Sequence, residues 1–251
     1  MKKGKVYIVG AGPGDAGLIT LKGVRCLERA DVVIYDHLVN PEILRHAHAE
    51  AQFIYAGKQG GDHTLSQDEI NARLVAEAAA GKIVTRLKGG DPLIFGRGGE
   101  EAEVLSNAGI DFEIVPGVTS AIAVPAYAGI SLTQRGYTST LAFVTGHEDP
   151  NKEGSDIDWR SLAGIGTLVF LMGVKNLPSI AAELIAHGKA AETPAALIRW
   201  GTTPDQRTVT APLSGIADAA ERAAIEPPAI LVVGDVVSLR ERLNWFERLP
   251  L

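Results

Sequence analysis

The sequence predicts an α/β protein of two domains, each a sheet with helices packed on it. Three observations predict it. Short runs rich in Val, Ile, Tyr and Phe alternate along the chain with longer amphipathic stretches. Glycine is over-represented, at 28 of 251 residues, and it collects at the ends of the apolar runs, where strand must turn into loop and then helix. After Pro116-Gly117 the pattern changes, which marks a second unit.

In the first part, 5–9, 32–35, 52–55, 82–87 and 112–115 read as buried strands. Between them 18–29, 41–49, 67–80 and 99–108 read as helices. Ser66 followed by Glu69 forms a capping box. Gly81 and Gly109 stop the helices before them. Alternation of strand and helix implies a mostly parallel sheet with helices on it. Beyond Gly117, 118–127 reads as a small-residue helix. Strands are expected at 140–145, 167–171, 195–200, 207–210 and 229–233, with helices at 177–187 and 213–223. The polar stretch 147–158 reads as an exposed loop. The boundary is placed after 116, giving domains 1–116 and 117–251. No Ser/Gly linker marks it, so the domains are expected to be held close, with a ligand cleft between them.

Composition narrows the function. The net charge is −6, with 46% apolar and 22% charged residues, which is globular and not disordered. An acidic chain without a basic tract is not a general nucleic-acid binder. The single cysteine, Cys26, excludes an internal disulfide and a cysteine-rich zinc site. The N-terminal apolar run is interrupted by glycines and ends in an acid, so it fits neither a signal peptide nor a membrane span, and a cytoplasmic protein is expected.

Several motifs follow strands. The first, 10–15 (GAGPGD), resembles a dinucleotide fingerprint, but Asp15 stands where the third glycine is required and Pro13 removes one N–H donor. Asp36 closes the second strand, where ligands of parallel sheets gather, and can serve as a general base. Lys58, in a glycine-flanked loop after the third strand, can bind an anion. The strongest signal is 87–101 (LKGGDPLIFGRGGEE). Gly89 and Gly90 allow close backbone approach, Asp91 is biased from helical geometry by Pro92, and Arg97 presents a carboxylate-matching fork between glycines. Glu100 and Glu101 suit the first turn of the following helix by its dipole. Thr119 and Ser120 offer hydroxyls at a helix start, Met172 follows a strand, and Trp200, Gly201 and Thr202 end another.

Taken together, VGAGPGD, YDHLV, GK, LKGGDPLIFGRGGEE, PGVTSAIAVPAYAGISLTQR, LMGV and RWGT resemble the uroporphyrinogen-III C-methyltransferases, in order and over nearly the whole chain. The wider class is the tetrapyrrole methylases. GRGGEE and ISLTQR are the more specific elements, whereas GPGD and GGDP are shared with later cobalamin-pathway methylases and diphthine synthase. The resemblance implies transfer of methyl groups from S-adenosylmethionine to carbons 2 and 7 of uroporphyrinogen III. The product would be precorrin-2, a precursor of sirohaem, cobalamin and haem d1. It implies a homodimer of chains with two α/β domains, the N-terminal one on the tetrapyrrole side of the cleft and the C-terminal one completing the S-adenosylmethionine site. By position, Pro13, Gly89, Gly90, Asp91, Ile94, Thr119, Ser120, Met172 and Gly201 would contact the cofactor. Asp36 and Lys58 match a proton acceptor and a proton donor, and Arg97 and Glu100 match positions at the substrate, with Arg135 a further substrate contact. The chain looks like the stand-alone form, without an oxidase–chelatase module.

The chemistry suits these residues. Displacement at a sulfonium methyl by a pyrrole carbon needs alignment and a modest base, and no metal. Asp36 can be the base; Arg97 cannot, because its guanidinium stays protonated, and it reads as a clamp for a substrate carboxylate. The substrate is polyanionic and the chain acidic, so local bases must compensate, with Lys58, Lys88, Arg97, Arg135, Lys175 and Arg199 as candidates. Alternatives are a methylase of a later corrin precursor, an NAD-dependent oxidoreductase using the first glycine loop, and a non-catalytic binding protein. GRGGEE speaks against the first and the absent third glycine against the second.

Overall fold

A computed structural model describes residues 3–57, 65–147 and 156–247. Lys58 and most of the 147–158 stretch therefore lie outside the described residues. The chain divides into two compact units, 1–119 and 120–251. Among the described residues no helix is long and apolar enough to cross a membrane.

The first unit runs β1 (Lys5–Gly10), α1 (Leu21–Leu27), β2 (Val32–Tyr35), β3 (Gln52–Tyr55), α2 (Gln67–Ala79), β4 (Ile83–Lys88), α3 (Gly98–Asn107) and β5 (Asp111–Val115). Its sheet has the order β3-β2-β4-β1-β5, and every pair is parallel. Side chains alternate across the strands, so two apolar layers form. Val6, Ile8, Val32, Ile34 and Val84 pack with Ile70 and Leu74 of α2 and Leu105 of α3. On the other face Val9, Val33 and Leu87 pack with Cys26 and Leu27 of α1. Ser66 and Glu69 make the expected capping box at α2.

Two helices of this unit differ from expectation. The stretch 18–29 splits: Asp15 caps a short 3₁₀ turn, Ala16–Leu18, and the Thr20 hydroxyl then accepts from Gly23 N at 3.0 Å to start α1. A β-branched hydroxyl residue here favours a cap over a helix interior. The stretch 41–49 is a 3₁₀ helix, Pro41–His46, capped by Asn40. Only Ile43 in it is fully buried, too little apolar surface at helical spacing to hold a longer α-helix against the sheet.

The second unit comprises α4 (Ser120–Tyr127), β6 (Leu141–Thr145), α5 (Trp159–Ala163), β7 (Thr167–Leu171), α6 (Leu177–Ala186), β8 (Pro194–Arg199), β9 (Arg207–Pro212), α7 (Ile216–Arg222), β10 (Ala229–Val233) and α8 (Arg240–Leu243). Its sheet order is β6-β7-β10-β8-β9. Only β6 and β7 pair in parallel; β10 runs antiparallel to β7 and β8, and β8 to β9. The mostly parallel sheet expected from the first part of the chain is found there, and the second sheet is mixed. A strand order is set by pairing across long sequence distances, which local pattern does not encode. Leu168, Phe170, Leu197 and Leu231 face α6 and α7, while Val169, Ala196, Ile198 and Val232 face α4 and the 3₁₀ segment Asp235–Leu239. Sequence reading missed α5 and α8, which are too short for a helical period to register.

Candidate functional site

Because the first sheet is wholly parallel, the five loops that leave its strands share one edge. Four of these loops carry the glycine-rich motifs, and the fifth, after β2, carries Asp36. The loop after β1 is zipped to the loop after β4: Ala11 N donates to Lys88 O at 2.7 Å, Gly12 N to Gly90 O at 3.2 Å, and Gly90 N to Gly12 O at 2.7 Å. The loop after β5 closes on both. A Cβ at Gly117 would stand 2.3 Å from Gly90 O and 2.7 Å from Gly10 Cα, and one at Gly10 would stand 2.5 Å from Gly117 Cα. Gly10 and Gly117 therefore have no room for a side chain where three backbones meet, and Gly90 lends its carbonyl there at a φ of 68°. Asp91 fastens the assembly: its Oδ1 accepts from Leu93 N at 2.8 Å and Ile94 N at 3.2 Å, and its Oδ2 from Gly117 N at 3.0 Å. Phe95 and Arg97 follow with φ of 53° and 59°. Non-glycine residues in the left-handed region cost about 1–3 kcal/mol each and mark a loop held in place by its surroundings.

Beside these loops lies a pocket of about 600 Å³. Among the described residues Asp36, His37, Leu38, Gly57, Gln67, Arg86, Lys88, Gly89, Phe95 and Arg97 line it. Its volume is that of a small-molecule site. At its wall four charged side chains meet. Arg86 Nη2 lies 2.5 Å from Asp36 Oδ1, and Arg86 Nε 3.0 Å from Glu101 Oε1. Lys88 Nζ lies 2.8 Å from Glu101 Oε1 and 3.8 Å from Asp36 Oδ2. Arg86, Lys88 and Glu101 are buried and Asp36 is partly exposed. Burial, followed by the neighbouring Arg86 charge, pushes the Lys88 ammonium below its usual range, against the pull of Glu101 and Asp36. Glu101 Oε2 is buried without a hydrogen-bond partner, since Gln67, Arg86 and Lys88 all donate to Oε1. On the outer side, His37 Nδ1 and the Tyr55 hydroxyl share a hydrogen bond of 3.1 Å.

Arg97 presents its fork, and Glu100 fills it. Arg97 Nε donates to Glu100 Oε1 at 2.9 Å and Nη2 to Oε2 at 2.7 Å. The bond raises the pKa of Arg97 and lowers that of Glu100. Both side chains are more than half exposed, so water screens the pair and a competing carboxylate can exchange into it at small cost.

The structure brings Asp36, Gly89 and Arg97 to one pocket. Pro13 is half-buried, as are Gly90 and Asp91; Ile94 is exposed and Thr119 buried. All four stretches belong to the first unit. In the second, Ser120 opens α4 and Met172 follows β7, exposed, at φ 58°. Gly201 follows β8, buried, with a Cβ there 2.4 Å from Val124 Cγ1. Trp200 and Thr202 flank it at φ 46° and 68°. Arg135 is exposed in a turn closed by a Gln134–Thr138 bridge. Of the other candidate bases, Lys175 is exposed and Arg199 approaches Glu226 at 3.6 Å.

Sequence reasoning missed Arg86 and read Glu101 only as an acid favoured by the dipole in the first turn of a helix. Glu101 is fully buried. A signal was present: Arg86 falls inside a strand, IVTRLK, flanked in sequence by apolar residues, and a buried charge there requires a partner.

The family described as Tetrapyrrole (Corrin/Porphyrin) Methylases matches residues 5–217. The chain is similar to the uroporphyrinogen-III C-methyltransferase of Priestia megaterium, 56% identical over 94% of this chain and 99% of that one. Among solved structures it is similar to uroporphyrin-III C-methyl transferase from Thermus thermophilus complexed with S-adenosyl homocysteine, with TM-score 0.79 and 40% identity over 93% of each chain. It is also similar to a cobalamin biosynthetic cobalt precorrin-4 methyltransferase, with TM-score 0.82 and 30% identity over 93% of this chain and 95% of that one. Fold likeness thus does not favour the first of these two solved structures, whereas sequence likeness does.

Proposed function

The chain belongs to the tetrapyrrole (corrin/porphyrin) methylase family, and we propose that it methylates uroporphyrinogen III at carbons 2 and 7 with S-adenosylmethionine, giving precorrin-2. What carries this reading is the near-full-length likeness to enzymes of that name, closer than to the later corrin methylase. The pocket of the first unit fits it: a carboxylate at the wall, buried cations behind, and an arginine fork at the rim. The first glycine loop fits a dinucleotide poorly, since the Asp15 carboxylate already accepts from Gly17 N at the helical turn where a pyrophosphate would sit.

In this reading Asp36 takes the proton that leaves the methylated pyrrole carbon. Arg97 exchanges Glu100 for a substrate carboxylate. Lys58 remains the proposed proton donor and Arg135 a proposed substrate contact, both from the resemblance. S-adenosylmethionine supplies the electrophilic methyl group. Pro13, Gly89, Gly90, Asp91, Ile94 and Thr119 from 1–119, and Ser120, Met172 and Gly201 from 120–251, are the proposed contacts for it. The backbone junction at Gly10, Gly90 and Gly117 supports this, because it holds the loops in a shape that side chains would obstruct. We further propose a cytoplasmic homodimer, with the domain boundary near 116.

Anaerobic incubation with uroporphyrinogen III and S-adenosylmethionine, followed by mass analysis, tests the reading. A dimethylated product is expected. Methylation only of an already methylated corrin precursor would shift the assignment to the later methylases, and saturable NAD binding without a response to S-adenosylmethionine would overturn both.

Arg97→Lys is expected to raise KM for uroporphyrinogen III about tenfold, because lysine keeps the charge and loses the two-pronged geometry. Cofactor affinity should hold. Steady-state kinetics and calorimetric titration with S-adenosylhomocysteine check it. Loss of cofactor affinity with unchanged substrate KM would remove Arg97 from the clamp role.

A further inference from the structure

Asp36 does not stand alone at the pocket wall, and its two oxygens are not equivalent. Oδ1 is taken by Arg86 Nη2 at 2.5 Å, a charge-assisted contact. Oδ2 has Lys88 Nζ at 3.8 Å, beyond hydrogen-bond reach, which leaves its lone pairs for another donor. Neither cation is free to move. Arg86 is held by Glu101 Oε1 at 3.0 Å and approaches the carbonyls of Ile34 and Leu87 at 3.5 Å each. Lys88 is held by the same Glu101 oxygen at 2.8 Å. Glu101, on α3, therefore anchors both cations of β4, and both cations face Asp36 at the end of β2.

Such a buried charge set gains little stability over apolar side chains of similar volume. Its placement against a pocket calls for another reason. We propose that Arg86, Lys88 and Glu101 are positioning residues for Asp36: they turn Oδ2 toward the substrate and set the charge around it. The proposal rests on the reading of Asp36 as proton acceptor.

Among the described residues, the other titratable groups near Asp36 are few. His37, on the same loop, is bonded to Tyr55 of β3. Arg97 and Glu100, at the start of α3, are paired with each other. From α2 the contact to the cluster is the neutral Gln67. Among the described residues the charge balance at Asp36 is thus set by two cations and one buried carboxylate.

That balance predicts shifts of opposite sign. Lys88→Met removes positive charge beside Asp36, so the acidic limb of the kcat–pH profile moves to higher pH. Glu101→Gln keeps an acceptor oxygen and removes the negative charge that offsets the cations, so the limb moves to lower pH. The Lys88→Met shift is expected at about one pH unit, the low end of what a charge within roughly 4–6 Å produces. Lys88→Arg restores the charge and should return the limb to the wild-type position. KM for uroporphyrinogen III should change less than kcat in all three. Loosened packing does not give opposite signs. Should Glu101→Gln fail to fold, Lys88→Met and Lys88→Arg decide alone, because Lys88 is the last residue of β4. Asp36→Asn, run alongside, separates the two claims. Undiminished turnover in Asp36→Asn overturns the base reading. Impaired turnover there, with the Lys88→Met limb unmoved or moved to lower pH, overturns the positioning role.

Discussion

Asp36→Asn is expected to lower kcat by roughly 10²–10⁴-fold, the range over which a positioned general base contributes. Asparagine keeps the size of the side chain and one carbonyl oxygen, but it cannot accept a proton at pH 7. It also replaces one carboxylate oxygen by an NH₂ group, which opposes either Arg86 or the pocket. Substrate and cofactor affinities should change far less, since the charged neighbours of Asp36 are Arg86 and Lys88. Single-turnover kinetics and titration with S-adenosylhomocysteine check the split. Normal single-turnover rates would show that another group or water takes the proton.

Gly117→Ala should be a strongly damaging small substitution at the junction of the strand-end loops. The added methyl would lie 2.3 Å from Gly90 O and 2.7 Å from Gly10 Cα, and both are backbone atoms with no rotamer to escape into. Overpacking of this kind costs about 1–3 kcal/mol and more where backbone must move. The Gly117 N–H also holds Asp91 Oδ2, so a shift of Gly117 loosens the 87–101 loop as well. The expected result is a lowered melting temperature together with at least a tenfold loss of S-adenosylhomocysteine affinity. Gly99→Ala is the control: a Cβ there meets nothing within 4 Å and lies in α3, where alanine is the better helix former. Equal melting temperatures for the two variants would show that the three-glycine junction yields without strain.

Much of the first unit was readable from pattern because its cues are local. The strands of 5–9, 32–35 and 52–55 are apolar runs bounded by turn residues, and they stand within one residue of β1, β2 and β3. The capping box at Ser66 is a four-residue signal, and it appears as read. The loops carrying Asp36, Gly89, Gly90, Asp91 and Arg97 could be placed at strand ends for the same reason. The 3₁₀ turns and the short helices α5 and α8 could not, because a helical period needs more residues than they contain.

Which partners Arg97 and Glu101 take was not readable. The sequence offers Arg97 as an open fork and Glu101 as a helix-start acid; three residues apart, Arg97 and Glu100 pair across the start of α3, and Glu101 turns inward to Arg86 and Lys88. Pairing of charges depends on which helix covers which strand, and that is a long-range matter.

By itself the sequence determined the α/β class, the alternation of elements, the family and the glycine positions, since each rests on residues adjacent in the chain. Tertiary structure alone decided that the first sheet is fully parallel and the second mostly antiparallel, that Gly10 and Gly117 need each other's missing side chains, and that a buried glutamate ties two cations to Asp36. The physical reason is that close backbone contact and charge compensation are fixed by atoms brought together across many residues of chain, where burial removes the water that would otherwise satisfy each group separately.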